Sequence, residues 1–361
     1  MRIEEAIKLN NFPGILEGKG ILVRYDGPYV LLKYKNLFEN GEMTVDFSNE
    51  LFRECRGIIL KKTDEGYEIV CRPFKKWFNF QEPFADEIDW SSARVQEKID
   101  GSIIKLWHDE GWHWSTMGTI DADYAETKYG ASFGDLIKKA DNYKDINYEN
   151  LDKSLTYMFE LVSPYNQIVI RYNKTHLYHI GTRQRNGKEL NIDIGIEKPK
   201  EYPLHSLEEC ITAAEALNSE EVSEEGYVVV DKNWNRIKVK SPKYILYHRI
   251  WNNGTVKAED IIKIISEGKM REAMKEYPLL RENILKWNAA MALYEYELEC
   301  DIRKGRQLYE EYEDRAVAAK YIKQLKHPYA GFWGLDREGS AENLIEGLSK
   351  RKYINEIKRI L

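Results

Sequence analysis

The segment "EKIDGS", Glu97 to Ser102, sets an amine, Lys98, two residues before a carboxylate, Asp100, with Gly101 directly after it. Two readings of Lys98 follow: a surface lysine ahead of a turn, or a nucleophile whose amine forms a covalent bond. Asp-Gly is a strong hairpin signal, because the turn needs positive φ and glycine adopts it at little cost. The hairpin does not account for the apolar strand pattern that follows, Ile103 to Trp107. A lysine ahead of that strand would point into whatever cleft the sheet lines.

Five further fragments bear on the choice. Upstream are "FRECRGIIL", with Arg56 and Gly57 entering a strand, and "PFKKWFNFQE", with Lys76 and Phe78. Downstream are "YMFELVSPYNQIVI" with Glu160, "SEEGYVVVD" with Glu225 and Gly226, and "RIKVKS" with Lys238 and Lys240. Each alone reads as a strand with one charged residue facing water. Lys238 and Lys240 alternate with Val239, so one strand would present both on the same side.

Taken in this order, the fragments resemble the ATP-dependent polynucleotide ligases, and among them the phage RNA ligase 1 family. In that family KxDG, the FELV glutamate, EGYVV and KxK line one nucleotide pocket, and "CRGIIL" and "KKWFN" favour the RNA-joining branch. The resemblance runs from about Arg53 to Ser241. It implies that Lys98 attacks the α-phosphate of ATP and becomes a lysyl-adenylate. AMP then passes to a 5′-phosphate on RNA, and a 3′-hydroxyl expels it.

The resemblance also distributes roles. A free lysine, with a pKa of about 10.4, is protonated at neutral pH and cannot attack. Lys238 and Lys240, with Mg²⁺ or Mn²⁺ in its place, are expected to depress it and to neutralise charge on the α-phosphate. Asp100, Glu160 and Glu225 are expected to hold the metal, partly through its waters, or to touch the ribose. Arg56 and Lys76 are expected on the β- and γ-phosphates, Gly101 at the ligand's approach, and Phe78 either lining the cleft or packed in the core. One departure stands out: in "WSTMGTI", Met117 occupies the place of an expected basic residue. Arg171, Arg183 and Arg185 are candidates to replace that cation.

The elements that must position these residues read as α+β with mostly antiparallel strands. A hairpin is expected over Gly20 to Tyr34, and strands over 57–61, 66–71, 103–108, 112–117, 156–161, 168–171, 177–180, 226–230 and 236–239. Helices are expected over 123–141 and 207–216. From Tyr244 onward strand signals vanish and apolar residues recur at helical spacing, as along Leu279 to Leu298. The expected division is a nucleotidyltransferase domain over 1–243 and an all-helical domain over 244–361, the latter a module for RNA specificity. "HPYAGFWG" at His327 reads as a base-stacking loop or as packing between helices.

A length of 361 residues with 43% hydrophobic content suits a chain with a large core. A net charge of −6 argues against coating nucleic acid nonspecifically. Arg171 to Lys188 reads either as a local basic groove, where His176 and His179 are candidate phosphate contacts, or as a solvated strand pair. His108 and His113 read as strand residues rather than metal ligands. Cys55, Cys71, Cys210 and Cys300 lie too far apart for a metal motif and read as reduced thiols. No apolar run reaches the roughly 20 residues that span a bilayer, so a cytoplasmic protein is expected, in host cytoplasm if phage-encoded. The implied partners are RNA with 5′-phosphate and 3′-hydroxyl ends, such as cleaved transfer RNA, and a polynucleotide kinase/phosphatase that heals them. Two alternatives stay open: another covalent nucleotidyltransferase, such as a DNA ligase or capping enzyme, or a non-catalytic RNA-binding relic.

Overall fold

In the computed structural model, the structure describes residues 1–9, 12–17, 19–35, 38–39, 42–43, 45–217, 224–250, 257–276, 280–336 and 340–361. Leu279, at the start of one expected helical pattern, lies outside the described residues. The chain divides into two compact units, Met1–Gly254 and Thr255–Leu361.

The first unit is α+β, as its patterning predicts. β1 (Ile21–Asp26) and β2 (Tyr29–Tyr34) form a hairpin, and a short ribbon of β3 (Phe38–Glu39) and β4 (Glu42–Met43) follows. β5 (Arg56–Thr63) and β6 (Gly66–Cys71) complete a four-stranded sheet in the order β1-β2-β5-β6. β7 (Phe78–Asn79) and β8 (Arg94–Glu97) come next, then a hairpin of β9 (Ser102–Asp109) and β10 (Gly111–Thr116). β11 (Leu155–Val162), β12 (His176–Gln184), β13 (Glu189–Leu190), β14 (Glu201–Tyr202), β15 (Gly226–Val230) and β16 (Arg236–Lys240) close the series. They build two five-stranded sheets, β10-β9-β11-β12-β13 and β14-β8-β15-β16-β7. Pairing is antiparallel except between β16 and β7.

Strand parity decides what each sheet buries. In β11, Tyr157, Phe159 and Leu161 pack into a core with the helix Phe133–Lys138, so Met158 and Glu160 face the other way. In β16, Ile237 and Val239 pack with Val229 against Cys210 and Ala214 of the helix Leu207–Ala216, which turns Arg236, Lys238 and Lys240 to the opposite face. Met158, Phe74 and Trp77 form a small apolar cluster joined by Val228 and Ile180, and it floors the cleft between the two five-stranded sheets.

Several expectations are corrected. The Asp100–Gly101 step is no hairpin: β8 and β9, on either side, belong to different sheets. Gly101 is needed for close approach instead, since a Cβ there would stand 2.4 Å from the Leu161 carbonyl oxygen. Residues 168–171 form no strand, because the Val169 and Ile170 amides turn inward to the Asp100 carboxylate at 2.8 and 2.7 Å. The helix expected over 123–141 is confined to Phe133–Lys138, after a chain reversal at Gly130 with φ +74°.

The regular elements among the described residues of the second unit are all helices. The helix Arg281–Glu311 buries Ile284, Trp287, Ala290, Tyr294, Leu298, Ile302, Gly305 and Leu308, a stripe with helical spacing. The "HPYAGFWG" segment belongs to the helix Pro328–Asp336, which crosses at Gly305, where a Cβ would lie 2.2 Å from the Gly331 oxygen. His327 is buried between Tyr294 and Tyr329, and its amide donates to Asp301 at 2.7 Å. The aromatic cluster is therefore helix packing, not a base-stacking loop.

Candidate active site

The cleft between the two five-stranded sheets holds a cavity of about 270 Å³. Arg56, Lys98, Gly101, Glu160, Lys238 and Lys240 line it, from β5, the β8–β9 connection, β11 and β16. The main chain fixes this convergence. The Lys98 amide donates to the Gly226 carbonyl at 2.8 Å, and the Ser241 amide to the Glu225 carbonyl at 2.9 Å. Both lysine segments are thereby clamped to β15. Gly226 permits the clamp because its φ is +134° and a Cβ would meet the Val239 oxygen at 2.3 Å.

Glu225 is the electrostatic hub. Its side chain is 2% exposed, and its two oxygens pair separately with Lys98 Nζ and Lys240 Nζ, each at 2.7 Å. Burial alone would raise its pKa, but the two ammonium groups outweigh burial and hold it below the usual carboxylate value. Burial pulls Lys98 down, yet Glu225, Glu160 and Asp100 prevail and raise its pKa. This corrects the expectation that neighbouring cations depress Lys98: in the protein by itself, the nearest charge to the amine is a carboxylate.

Lys238 is the lysine that burial and its neighbouring cations both depress. Burial first, then Lys76, Arg56, Lys98 and Lys240, push its pKa down to about 6. The Arg56 guanidinium lies over Trp77 at 5.5 Å, and its buried Nη1 has no hydrogen-bond partner among the described residues. An orphaned donor of this kind costs about 1–3 kcal/mol. Folding does not reward such a grouping, whereas a polyanion would.

The depressed Lys238 gives a stability test. An unfolded lysine keeps its proton up to about pH 10.5, whereas folded Lys238 loses it near 6. Between those values the unfolded chain binds more protons, so stability rises with pH and the penalty is greatest below about 6. Lys238→Met should therefore melt above wild type by the widest margin at low pH, with the gap closing as pH rises. Thermal unfolding across that range checks it, and a pH-independent gap would contradict it.

The remaining candidates fall differently. Asp100, expected to help hold metal, is 3% exposed and already engaged: Tyr244 donates to Oδ1 at 2.6 Å and two amides to Oδ2. It anchors the loop that carries Lys98. Glu160 accepts one bond from the Gly101 amide at 3.2 Å, and burial above all raises its pKa to about 7. Among the described residues, no group of three His, Cys, Asp or Glu side chains is arranged to hold an ion. The donor set fits a hydrated Mg²⁺ that arrives with phosphates, since that ion needs only one or two carboxylates, and Glu160 is the side chain placed to supply one.

Lys76 and Phe78 do not line the cavity. Lys76 Nζ lies 4.8 Å from the Phe78 ring centre and 5.6 Å from that of Phe47, and Phe78 belongs to the core under the first sheet. Trp77, between them in sequence, faces the cleft with Phe74 and Arg236. Alternation along 76–78 could have shown that Trp77 and Phe78 point to opposite sides. Arg236 was also legible by parity with Lys238; its bidentate pairing with Glu189, at 2.9 and 3.2 Å, was not.

Within Arg171 to Lys188, Arg183, Arg185 and both histidines are engaged inside the protein rather than lining a basic groove. Arg183 is buried on Glu54 through both Nη atoms, at 2.9 and 2.8 Å, and Arg185 donates to the His108 carbonyl. His176 sits between Asp141 and Glu197, while His179 is buried, with its pKa pushed down to about 4 by burial. Neither imidazole is presented to a phosphate. Cys55, Cys71 and Cys210 are buried free thiols, and Cys300 is partly exposed. No helix among the described residues is long and apolar enough to cross a membrane.

A family profile described as RNA ligase matches residues 54–244. An RNA ligase of Rhodothermus phage RM378 is 25% identical over 324 residues, covering 71% of this chain and 71% of its own. A protein of Thermovibrio ammonificans provisionally named an RNA ligase is 28% identical over 313 residues, covering 78% and 76%. A protein of Autographa californica nuclear polyhedrosis virus, provisionally named a bifunctional polynucleotide kinase/RNA ligase, is 30% identical over 249 residues. The match covers 60% of this chain and 35% of that protein. Among solved structures, an archaeal ATP-dependent RNA ligase overlaps with a TM-score of 0.42 at 14% identity, over 96% of this chain and 84% of its own, too loosely to argue from.

Proposed function

The chain belongs to the RNA ligase family, and from that membership we propose an ATP-dependent joining of RNA 5′-phosphate and 3′-hydroxyl ends through an adenylate on Lys98. The observation that carries the reading is the gathering of basic groups with too little counter-charge in one cavity: Lys98, Arg56 with its orphaned Nη1, and Lys238, whose pKa burial and their proximity bring to about 6. A triphosphate supplies the anion that these cations lack.

The residues then act in sequence. Arg56 draws the triphosphate into the cavity, and phosphate charge restores the Lys238 ammonium. Glu225 holds Lys98 and Lys240 at 2.7 Å on its two oxygens, so the amine that attacks and the ammonium that accompanies it are set by one carboxylate. Lys98 must first lose its proton, which its three neighbouring carboxylates oppose. When bound, Mg²⁺ supplies positive charge that offsets those carboxylates and polarises the phosphates. The neutral Lys98 amine bonds to the α-phosphorus as the bond to pyrophosphate breaks. AMP moves next to an RNA 5′-phosphate oxygen, freeing Lys98, and a 3′-hydroxyl displaces AMP to form the phosphodiester. Lys238 and Lys240 stabilise charge on the phosphoryl oxygens in each transfer.

For physiology we propose repair of broken RNA, with cleaved transfer-RNA loops as the substrate class and the helical unit as their reader. End healing by a separate kinase/phosphatase would precede joining, a pairing suggested by the name of the baculovirus relative. Incubation of 5′-phosphorylated single-stranded RNA with the protein, ATP and Mg²⁺ should give joined or circular RNA, with little joining of nicked duplex DNA. Efficient sealing of the DNA nick with no RNA product would overturn the reading.

A further inference from the structure

Met117 lines the cavity where the sequence leads one to expect a cation, and two of the three arginines expected to replace it are directed elsewhere: Arg183 is buried on Glu54 and Arg185 donates to the His108 carbonyl. Besides the buried Lys105 of β9, which donates to the Gly57 carbonyl, the cations at this corner come from β1 and β2. Arg24 of β1 donates through Nη1 to the Gly118 carbonyl at 2.5 Å. Lys33 of β2 brings Nζ to 3.2 Å from where a Cβ of residue 118 would stand, so the missing side chain at Gly118 makes room for the ammonium. Lys33 is also the cross-strand neighbour of Arg56, and residues in register on adjacent strands share a face. Gly57, next in the chain, touches Met117 in turn: a Cβ there would lie 2.9 Å from the Met117 oxygen. Met117 and Arg56 line the cavity, and Lys33 and Arg24 adjoin them through Gly118 and the register of β2 against β5.

We propose that Lys33, assisted by Arg24, binds the outermost phosphate of the triphosphate and supplies the cation that Met117 does not. The assignment rests on the adenylyl-transfer reading above. Two like charges are brought together here without a carboxylate between them: apart from burial, the charge that Lys33 feels most is that of Arg24. Burial and mutual repulsion both oppose that arrangement, and a multiply charged phosphate reverses both terms. Arg56 extends the cation series inward from this corner, leaving the corner as its outer end. The hairpin that carries both residues lies outside the stretch 54–244 matched by the family profile.

The test compares nucleotides differing by one phosphate. Dissociation constants for ATP and ADP are measured with the full chain carrying Lys98→Ala, which cannot consume them, with and without Lys33→Ala. Lys33→Ala should weaken ATP about tenfold or more and leave ADP nearly unchanged, and Arg24→Ala, at an exposed site, should do the same to a smaller degree. Met117→Lys added to Lys33→Ala should restore the preference for ATP, which no merely structural role for Lys33 would predict. An undiminished preference in Lys33→Ala, or equal losses for ATP and ADP, overturns the assignment. So does a loss confined to 5′-phosphorylated RNA, which would give the corner to RNA. A parent protein that binds neither nucleotide overturns the adenylyl-transfer reading and this assignment together, whereas a parent that prefers ATP keeps the two failures distinct.

Discussion

Lys98→Ala should take up no AMP, with labelling by α-labelled ATP falling below about one ten-thousandth of wild type, as removal of a covalent nucleophile requires. The same variant should still seal RNA supplied with its 5′ end already adenylylated, because that last step uses the positions of Lys238 and Lys240 but not the Lys98 amine. Parallel loss of both steps would mean that the substitution had collapsed the cavity rather than removed a nucleophile. The residual pairing argues against collapse: Lys240 stays on Glu225 at 2.7 Å, and the backbone clamp from residue 98 to Gly226 needs no side chain.

Glu225→Gln should be nearly as damaging, for a different reason. The carboxylate is the shared counter-charge of two lysines, each about one-fifth exposed. Breaking one side of a buried pair typically costs about 3–5 kcal/mol, which corresponds to a fall of roughly 10 °C in melting temperature for a unit of this size. The sign of its pH dependence is fixed by the direction of the shift. Glu225 has a lowered folded pKa, so its stabilisation is present above the ordinary carboxylate value of 4.5 and is lost as pH falls through the folded value. The difference in melting temperature between wild type and Glu225→Gln should therefore be full near neutral pH and shrink in acid. Relief of one carboxylate should also let Lys98 lose its proton more readily, so residual adenylylation should shift to lower pH. An unchanged melting temperature at neutral pH would contradict the shared-counter-charge account.

The parts of this architecture that the sequence reveals are those governed by strand parity. Alternation in "RIKVK" puts Lys238 and Lys240 on one face because Ile237 and Val239 have a helix to pack against. The same rule in "YMFELV" frees Glu160 from the core that takes Phe159 and Leu161. Where chain segments meet without a ladder, the local signal misleads. Asp-Gly has hairpin chemistry, but its neighbours join different sheets, and only the approach of Leu161 explains the glycine. Asp100 has the composition of a metal ligand, yet Tyr244, Val169 and Ile170 claim its oxygens from 69 to 144 residues away. The pKa of Lys98 runs against the motif for the same reason: the spacing K-x-K suggests nearby cations, whereas the nearest charge comes from Glu225, 127 residues on. Arg24 and Lys33 carried no motif at all, and only the register of β2 against β5 brings Lys33 beside Arg56.

The most direct measurement is the mass of the intact protein after incubation with ATP and Mg²⁺, followed by mapping of the modified peptide. The account predicts an increase of one AMP, resistant to denaturation and located on Lys98. An adduct on any other residue, or tight nucleotide binding with no adduct, would contradict it.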